Sequence, residues 1–282
     1  TIGAIVTAGA KPVFVDVNQD YNINVDKIEN KINKKTKAIL PVHWSGRICN
    51  MKKLKTISSK YKIPIVEDAC HAISAKYYNN FAGKFGDFGC FSLHPLKNLN
   101  VWGDGGFVIA KNKKHYETLR LIRNHGLVSR NKNLIFGYNS RLDTIQAVVA
   151  NHLFKKIKII TNKRIKNSLY LEKKLKNIKG LVFKERFKYL LEVFHLYEFK
   201  LQNSKLRGPL VNYLKKNNID AKIHYPIPMH LQPAAKKYGY KKGDFPICEK
   251  IAESTVSLPV HEYLSKKNLD DMISKIKIFM NN

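Results

Sequence analysis

Residues 63–110, IPIVEDACHAISAKYYNNFAGKFGDFGCFSLHPLKNLNVWGDGGFVIA, hold two short apolar runs with polar, chemically capable residues just past their ends. The run 63–66 is apolar and largely β-branched, the pattern of a strand buried on both faces of a helix-covered sheet. Glu67 and Asp68 follow at its carboxyl end, the edge at which open α/β sheets bind ligands. The run 90–93 leads through His94-Pro95-Leu96 to Lys97. Pro95 prevents either strand or helix from carrying the lysine away regularly, which leaves Lys97 on an irregular turn.

A lysine whose charge is disfavoured falls from its reference pKa of roughly 10.4 towards neutrality, becomes an amine and can form an imine with a carbonyl. An acid paired with a pyridine nitrogen and a lysine holding an aldehyde are the two protein groups that pyridoxal 5′-phosphate (PLP) chemistry requires. Taken alone, the residues leave alternatives open. Asp68 also suits the N-cap of a helix beginning ACHAISA, and a single lysine in so lysine-rich a chain has an ordinary surface reading.

The flanking pattern supports a layered α/β fold. Strands are expected at 13–17 and 38–42, with helix-compatible stretches at 25–33 and 51–61 before the Asp68 strand, an alternation that argues for a parallel, helix-covered sheet. His43-Trp44 ends the second strand at the same sheet edge as Asp68. Helical spacing covers 115–124, stopped by His125-Gly126. Asp143 and Gln146 have the spacing of a capping box for a long helix with Ile145, Val148, Val149, Phe154, Ile157 and Ile160 on an apolar side. The domain boundary falls near Thr161, giving a large domain over 1–160 and a small α+β domain over 161–282. The small domain reads as strand 194–201, helix 209–216, strand 221–225, helix 246–255, strand 256–260 and a terminal helix from Leu264 with Leu269, Met272, Ile273, Ile276 and Phe279 inward.

The motifs EDACHA, GDFGCFSLHPLKNLNVWGDGGF, RNHG and GYNSRLDTIQA resemble the DegT-type nucleotide-sugar aminotransferases, fold type I PLP enzymes, and the resemblance runs from Thr1 to about Met280. It implies the aspartate aminotransferase-like three-layer large domain with a mainly parallel sheet, followed by the small domain. It implies Lys97 as the residue that holds PLP covalently and shuttles the proton, and Asp68 on the pyridinium nitrogen. His71 is expected against the PLP ring or its phenolic oxygen, and Ser92 on the phosphate. Asn139 is expected to reach the PLP phosphate of a neighbouring subunit, which makes the active site shared across a homodimer. His43 is expected near cofactor and substrate, and the motif HYPIPMHLQPAAKKYGYKKGDFPICEK resembles the substrate-side loop, with His224, Tyr225 and His230 as candidates for the sugar nucleotide. A strand-end histidine bonded to backbone remains an alternative for His43, and a purely structural extended loop, suited by Pro226, Pro228 and Pro233, remains one for the other three. In the family the opening TIGAIVTAGAKPVFVDV corresponds to the middle of the large domain, so a preceding helix start for the phosphate is expected to lie outside this sequence.

Composition bounds the rest. The formal charge of +30 has a plain reading as polyanion binding, but 43 of the 51 basic residues are lysine and only 8 arginine. That mix, with abundant Asn and Ile, looks like coding bias spread over solvated faces, so neither nucleic acid nor a membrane surface is expected as a partner. Cys49, Cys70, Cys90 and Cys248 show no CxxC spacing, so neither a metal site nor a disulfide framework is indicated and a reducing compartment fits. No run of about 18 apolar residues occurs, and a cytoplasmic protein is expected.

The sequence thus points to a PLP-dependent aminotransferase that moves an amino group from glutamate to a nucleotide-linked keto-sugar, in cell-surface polysaccharide or modified-sugar biosynthesis. GYNSRLD leans towards the 3-keto branch of the family. One rival is a sugar dehydratase of the same family, which carries histidine where this chain has Lys97. The other is a non-catalytic regulatory or anion-binding protein that uses the basic surface.

Overall fold

The computed structural model describes residues 1–281. Its central sheet runs Val66–Asp68, Phe88–Ser92, Gly106–Ala110 across, the first pair parallel and the second antiparallel. Residues 39 and 42 extend it on the other side through parallel bridges Ile39↔Ile65 and Val42↔Asp68. Asp68 therefore lies in the middle of the sheet at a carboxyl edge. The helix Met51–Tyr61 covers this sheet: Asn50 caps it by accepting from the Lys53 N–H at 3.2 Å, Met51, Leu54 and Ile57 turn inward, and Lys62 in the left-handed region (φ 54°) ends it.

Several expected elements differ. Residues 13–17 form no strand, because the chain reverses at once through a turn closed by Tyr21 N–H to Asn18 O, and only Val17 pairs, with Ile23. The stretch 25–33 makes two short 3₁₀ turns, Val25–Lys27 and Glu29–Lys31. The long helix is two helices, Thr144–Phe154 and Ile157–Leu175. Its capping box does not form, since Gln146 Oε1 instead accepts from the Trp102 N–H at 2.8 Å. Of the apolar side expected there, Val149 and Ile160 are buried while Ile145, Val148 and Phe154 stand exposed.

The C-terminal part of the chain is built on the antiparallel sheet Thr255–Leu258, Tyr197–Leu201, Leu181–Val182. The helix Lys266–Asn281 lays Leu269, Met272, Ile273 and Ile276 against it, as their 3–4 spacing dictates. The expected strand 221–225 contributes a single bridge, Lys222↔Ser257. Leu171 and Leu175 join this core while Ile157 packs on the cluster of Leu93, Leu99 and Val101, so the helix Ile157–Leu175 spans both parts of the chain.

Candidate active site

Strand alternation sends the adjacent carboxylates of Glu67 and Asp68 to opposite faces. Glu67 is fully buried and receives His43 Nε2 at 2.8 Å and the N–H groups of Gly83, Phe85 and Gly86 at 2.8, 2.7 and 2.6 Å. Burial pushes its carboxyl up, but these donors outweigh burial and hold it below the usual range. It is a structural anchor for the loop 83–86.

Asp68 points the other way, half-buried, and accepts from the Cys70 N–H at 3.2 Å and the Thr1 hydroxyl. Burial again acts to raise its carboxyl, and the donors Thr1 and Cys70 overcome it and keep it ionised. The helix for which Asp68 suits the N-cap does not form. Residues 69–75 are successive turns closed by Ala72 N–H to Ala69 O and Ala75 N–H to Ala72 O.

Lys97 lies on the turn closed by its own N–H to His94 O at 2.8 Å, as Pro95 requires. Burial lowers its ammonium below the ordinary lysine range, opposed only by Cys70 and Asp68 close by. The amine form is therefore accessible. His71 shares the site: burial, then the positive charge of Lys97, push its imidazole down to about 3, with Asp68 and His224 also within electrostatic range. Its Nδ1 accepts from the Ser45 N–H at 3.3 Å, which leaves the proton on Nε2.

His224 and Tyr225 reach this neighbourhood. His224 Nδ1 meets Ser257 Oγ at 3.0 Å, and the exposed Tyr225 ring stands edge-on to Trp44 at 5.8 Å. Trp44 in turn lies edge-on to His71 at 5.5 Å. Ser92 is half-buried at the strand end before Lys97, its Oγ accepting from the His94 N–H at 3.2 Å. Asn139 is exposed, its Oδ1 held by Arg141 Nε at 3.0 Å.

Two of the candidates sit in structural contacts instead. His43 is fully buried with Nε2 on Glu67 and Nδ1 receiving the Cys49 N–H at 3.3 Å, so neither ring nitrogen is left for a substrate. His230 is buried against Phe245 and bonded to Glu249 at 3.0 Å, a structural role in the loop. Sequence reasoning also missed residues. Trp44 forms a wall of the site with its indole N–H on Glu198 at 3.1 Å, and its place at a strand's carboxyl end was the available signal. His195, whose ring centroid is 4.1 Å from that of His71, gave no signal in the sequence.

An ionised acid, a desolvated lysine and a neutral imidazole between aromatic walls are side chains of the kind that PLP chemistry uses, so Asp68, Lys97 and His71 fit that cofactor. The fold and site define a PLP-dependent transferase. The description of the DegT/DnrJ/EryC1/StrS aminotransferase family matches residues 1–277. The chain is 34% identical over 282 residues to the dTDP-3-amino-3,6-dideoxy-alpha-D-galactopyranose transaminase of Aneurinibacillus thermoaerophilus, covering 98% of this chain and 75% of that protein. It is 33% identical over 279 residues to the UDP-N-acetyl-3-dehydro-alpha-D-glucosamine 3-aminotransferase of Acidithiobacillus ferrooxidans, covering 98% and 74%. Among solved structures, DesV of S. venezuelae in complex with a ketimine intermediate superposes with a TM-score of 0.95 at 28% identity, over 100% of this chain and 76% of that one. The chain belongs to the DegT/DnrJ/EryC1/StrS aminotransferase family and is a PLP-dependent sugar aminotransferase.

Proposed function

We propose that this chain transfers an amino group from glutamate to the keto carbon of a nucleotide-linked keto-sugar, in the cytoplasm, for cell-surface polysaccharide or modified-sugar biosynthesis. The observation that carries the reading is the joint placement of Asp68, His71 and Lys97 at one sheet edge, with the acid held ionised and the lysine pushed towards its amine. The names of the two relatives, both concerned with a 3-amino group, support a 3-keto-sugar as acceptor.

When bound, PLP supplies an electron sink for the carbon that loses its proton. Asp68 keeps its carboxylate opposite the ring nitrogen and so favours a protonated ring. Lys97 Nζ would accept the proton from the amino donor's carbon and hand it to the cofactor's former aldehyde carbon on the far side of the intervening nitrogen, a transfer that a lysine poised nearer neutrality performs efficiently. His71 offers Nε2–H as a fixed donor. His224 and Tyr225, at the outer wall beside Trp44, are the proposed contacts for the sugar nucleotide, and Ser92 a contact for the phosphate. The dehydratase alternative requires histidine at position 97, where this chain has lysine.

We also propose the division at 160/161 and a homodimer. Leu96, Trp102, Phe136, Tyr138, Ile145 and Val148 are exposed apolar side chains on the segments that carry Lys97 and Asn139, so a second copy seated there places its Asn139 at the neighbour's phosphate site. The assay is glutamate against a panel of nucleotide keto-sugars, followed by formation of 2-oxoglutarate and the amino sugar. No turnover with any 3-keto or 4-keto acceptor sinks the substrate reading. Mixing the inactive variants Lys97→Ala and Asn139→Ala tests the shared site: recovered activity is expected, and its absence argues against the dimer contact.

A further inference from the structure

His71 does not stand alone. Its ring is backed by His195 with the centroids 4.1 Å apart and the planes 37° from parallel. His195 is delivered by the opposite part of the chain, just before the strand Tyr197–Leu201. Its backbone is fixed on both sides: the N–H donates to Ser45 O at 2.9 Å, and the carbonyl accepts from Arg164 Nη2 at 3.0 Å. Ser45 therefore uses its N–H for the His71 ring and its carbonyl for the His195 backbone.

The tautomer of His195 is fixed by Asn98, the residue after Lys97. Asn98 is buried, and its Nδ2 donates to Val193 O at 3.1 Å, which turns Oδ1 towards His195 Nδ1 at 3.4 Å. An amide oxygen accepts only, so the His195 proton lies on Nδ1. No stacked partner of a cofactor-facing imidazole could be charged without repelling the cations around it. His71 faces Lys97, Asp68, His224 and Lys184, and His195 faces His71, Lys97, Arg164 and His224.

We propose that His195 is a positioning residue for the reaction: oriented by Asn98, its uncharged ring buttresses His71 so that His71 meets the cofactor as a rigid, neutral imidazole with its proton on Nε2. The inference rests on the reading of Asp68, His71 and Lys97 as the cofactor site. It adds a physical link between the turn that carries Lys97 and the wall behind His71, through the single residue Asn98.

Imidazole NMR of the full chain, with and without PLP, tests this. In the unsubstituted protein His71 is expected as the Nε2–H tautomer with no titration between pH 5 and 8. His195→Phe keeps a flat ring at the stack and is expected to preserve both that state and the visible absorption of bound PLP. His195→Ala is expected to let His71 titrate between pH 5 and 7, and to make the PLP absorption pH-dependent in the same window. A silent His71 in His195→Ala, or a His195→Phe protein that behaves like His195→Ala, overturns the buttress. Where His195→Ala does not fold, His195→Phe still decides the buttress, and Asn98→Ala, which removes neither ring, tests the link through Asn98. Mixed His195 tautomers are expected there, and an unchanged single Nδ1–H form removes Asn98 from its role. Absence of PLP absorption in the unsubstituted protein refutes the cofactor reading itself, while the tautomer measurements made without PLP remain decisive for the buttress.

Discussion

Lowering the pH from 7.5 to 5 perturbs the stacked pair His71 and His195 more than any carboxylate. Burial holds His71 down at about 3 and His195 far below its ordinary value. Both folded-state values lie below the unfolded value of about 6.5, so the unfolded chain binds the extra protons and stability falls as the pH drops below about 6.5. Per histidine the loss reaches about 2 kcal/mol at pH 5, from about 1.4 kcal/mol for each pH unit below 6.5, and the pair together loses about 4 kcal/mol. The carboxylates Glu67 and Asp68 have lowered values, so their stabilisation is complete above about 4.5 and is lost only further down. They leave the window from pH 7.5 to 5 to the histidines. Urea unfolding of the PLP-free protein at pH 7.5, 6 and 5, with the slope in denaturant held common, measures the effect. In the double variant His71→Gln, His195→Phe most of the pH dependence should vanish. An equal loss in the double variant and the unsubstituted protein would refute the assignment of the acid sensitivity to these rings.

Lys97→Ala should abolish the borohydride-reducible adduct with PLP, read by mass spectrometry; an adduct retained on the chain places the reactive lysine elsewhere. Asp68→Asn should keep PLP bound but lower turnover by roughly 10²–10³-fold, since a neutral amide withdraws preorganised charge from the ring nitrogen, and near-normal turnover removes Asp68 from that role. Gly89→Ala should destabilise the fold by about 3 kcal/mol through overpacking, because a Cβ at Gly89 would lie 2.3 Å from Gly83 Cα, on the loop that Glu67 anchors. A melting temperature unchanged by that substitution would contradict the close approach of the two backbones.

Lys97 and Asp68 were legible because local rules fix them. A β-branched run ends in an acid, and a proline breaks the chain two residues before the lysine. The helix 51–61 and the inward set Leu269, Met272, Ile273 and Ile276 were legible for the same reason, their periodicity being complete within one element. His43 takes the structural alternative, with Nδ1 receiving the backbone N–H of Cys49, and its second partner, Glu67, was not legible because strand alternation across the sheet sets it. Gln146 matched a capping box, yet the N–H of Trp102 competed for its side chain. His195 was invisible because no local pattern around it signals the site. The residues that meet its ring and its N–H, His71, Asn98 and Ser45, lie about 100 or more residues away in sequence.

That seam also limits how the site can open. Seven contacts tie residues 44–47 and 98 to the segment 192–198: Val193 N–H to Gly46 O, His195 N–H to Ser45 O, Ser45 Oγ to Leu196 O, Trp44 Nε1 to Glu198, Arg47 Nη2 to Glu192, Asn98 Nδ2 to Val193 O and His195 Nδ1 to Asn98 Oδ1. Each net bond contributes about 1 kcal/mol, so breaking all seven costs about 7 kcal/mol and leaves an open population of about one in 10⁵. A rigid swing of the C-terminal part about this seam would also pull His195 off His71. Entry of a bulky sugar nucleotide therefore falls to the outer wall. Tyr225, Ile227 and Met229 are exposed there, and the side chain of Tyr225 meets the body of the site only edge-on, at Trp44 and His224. On the proposed reading the work divides: Trp44, His71 and His195 hold the chemistry in one geometry, and the exposed side chains of Tyr225, Ile227 and Met229 meet the substrate.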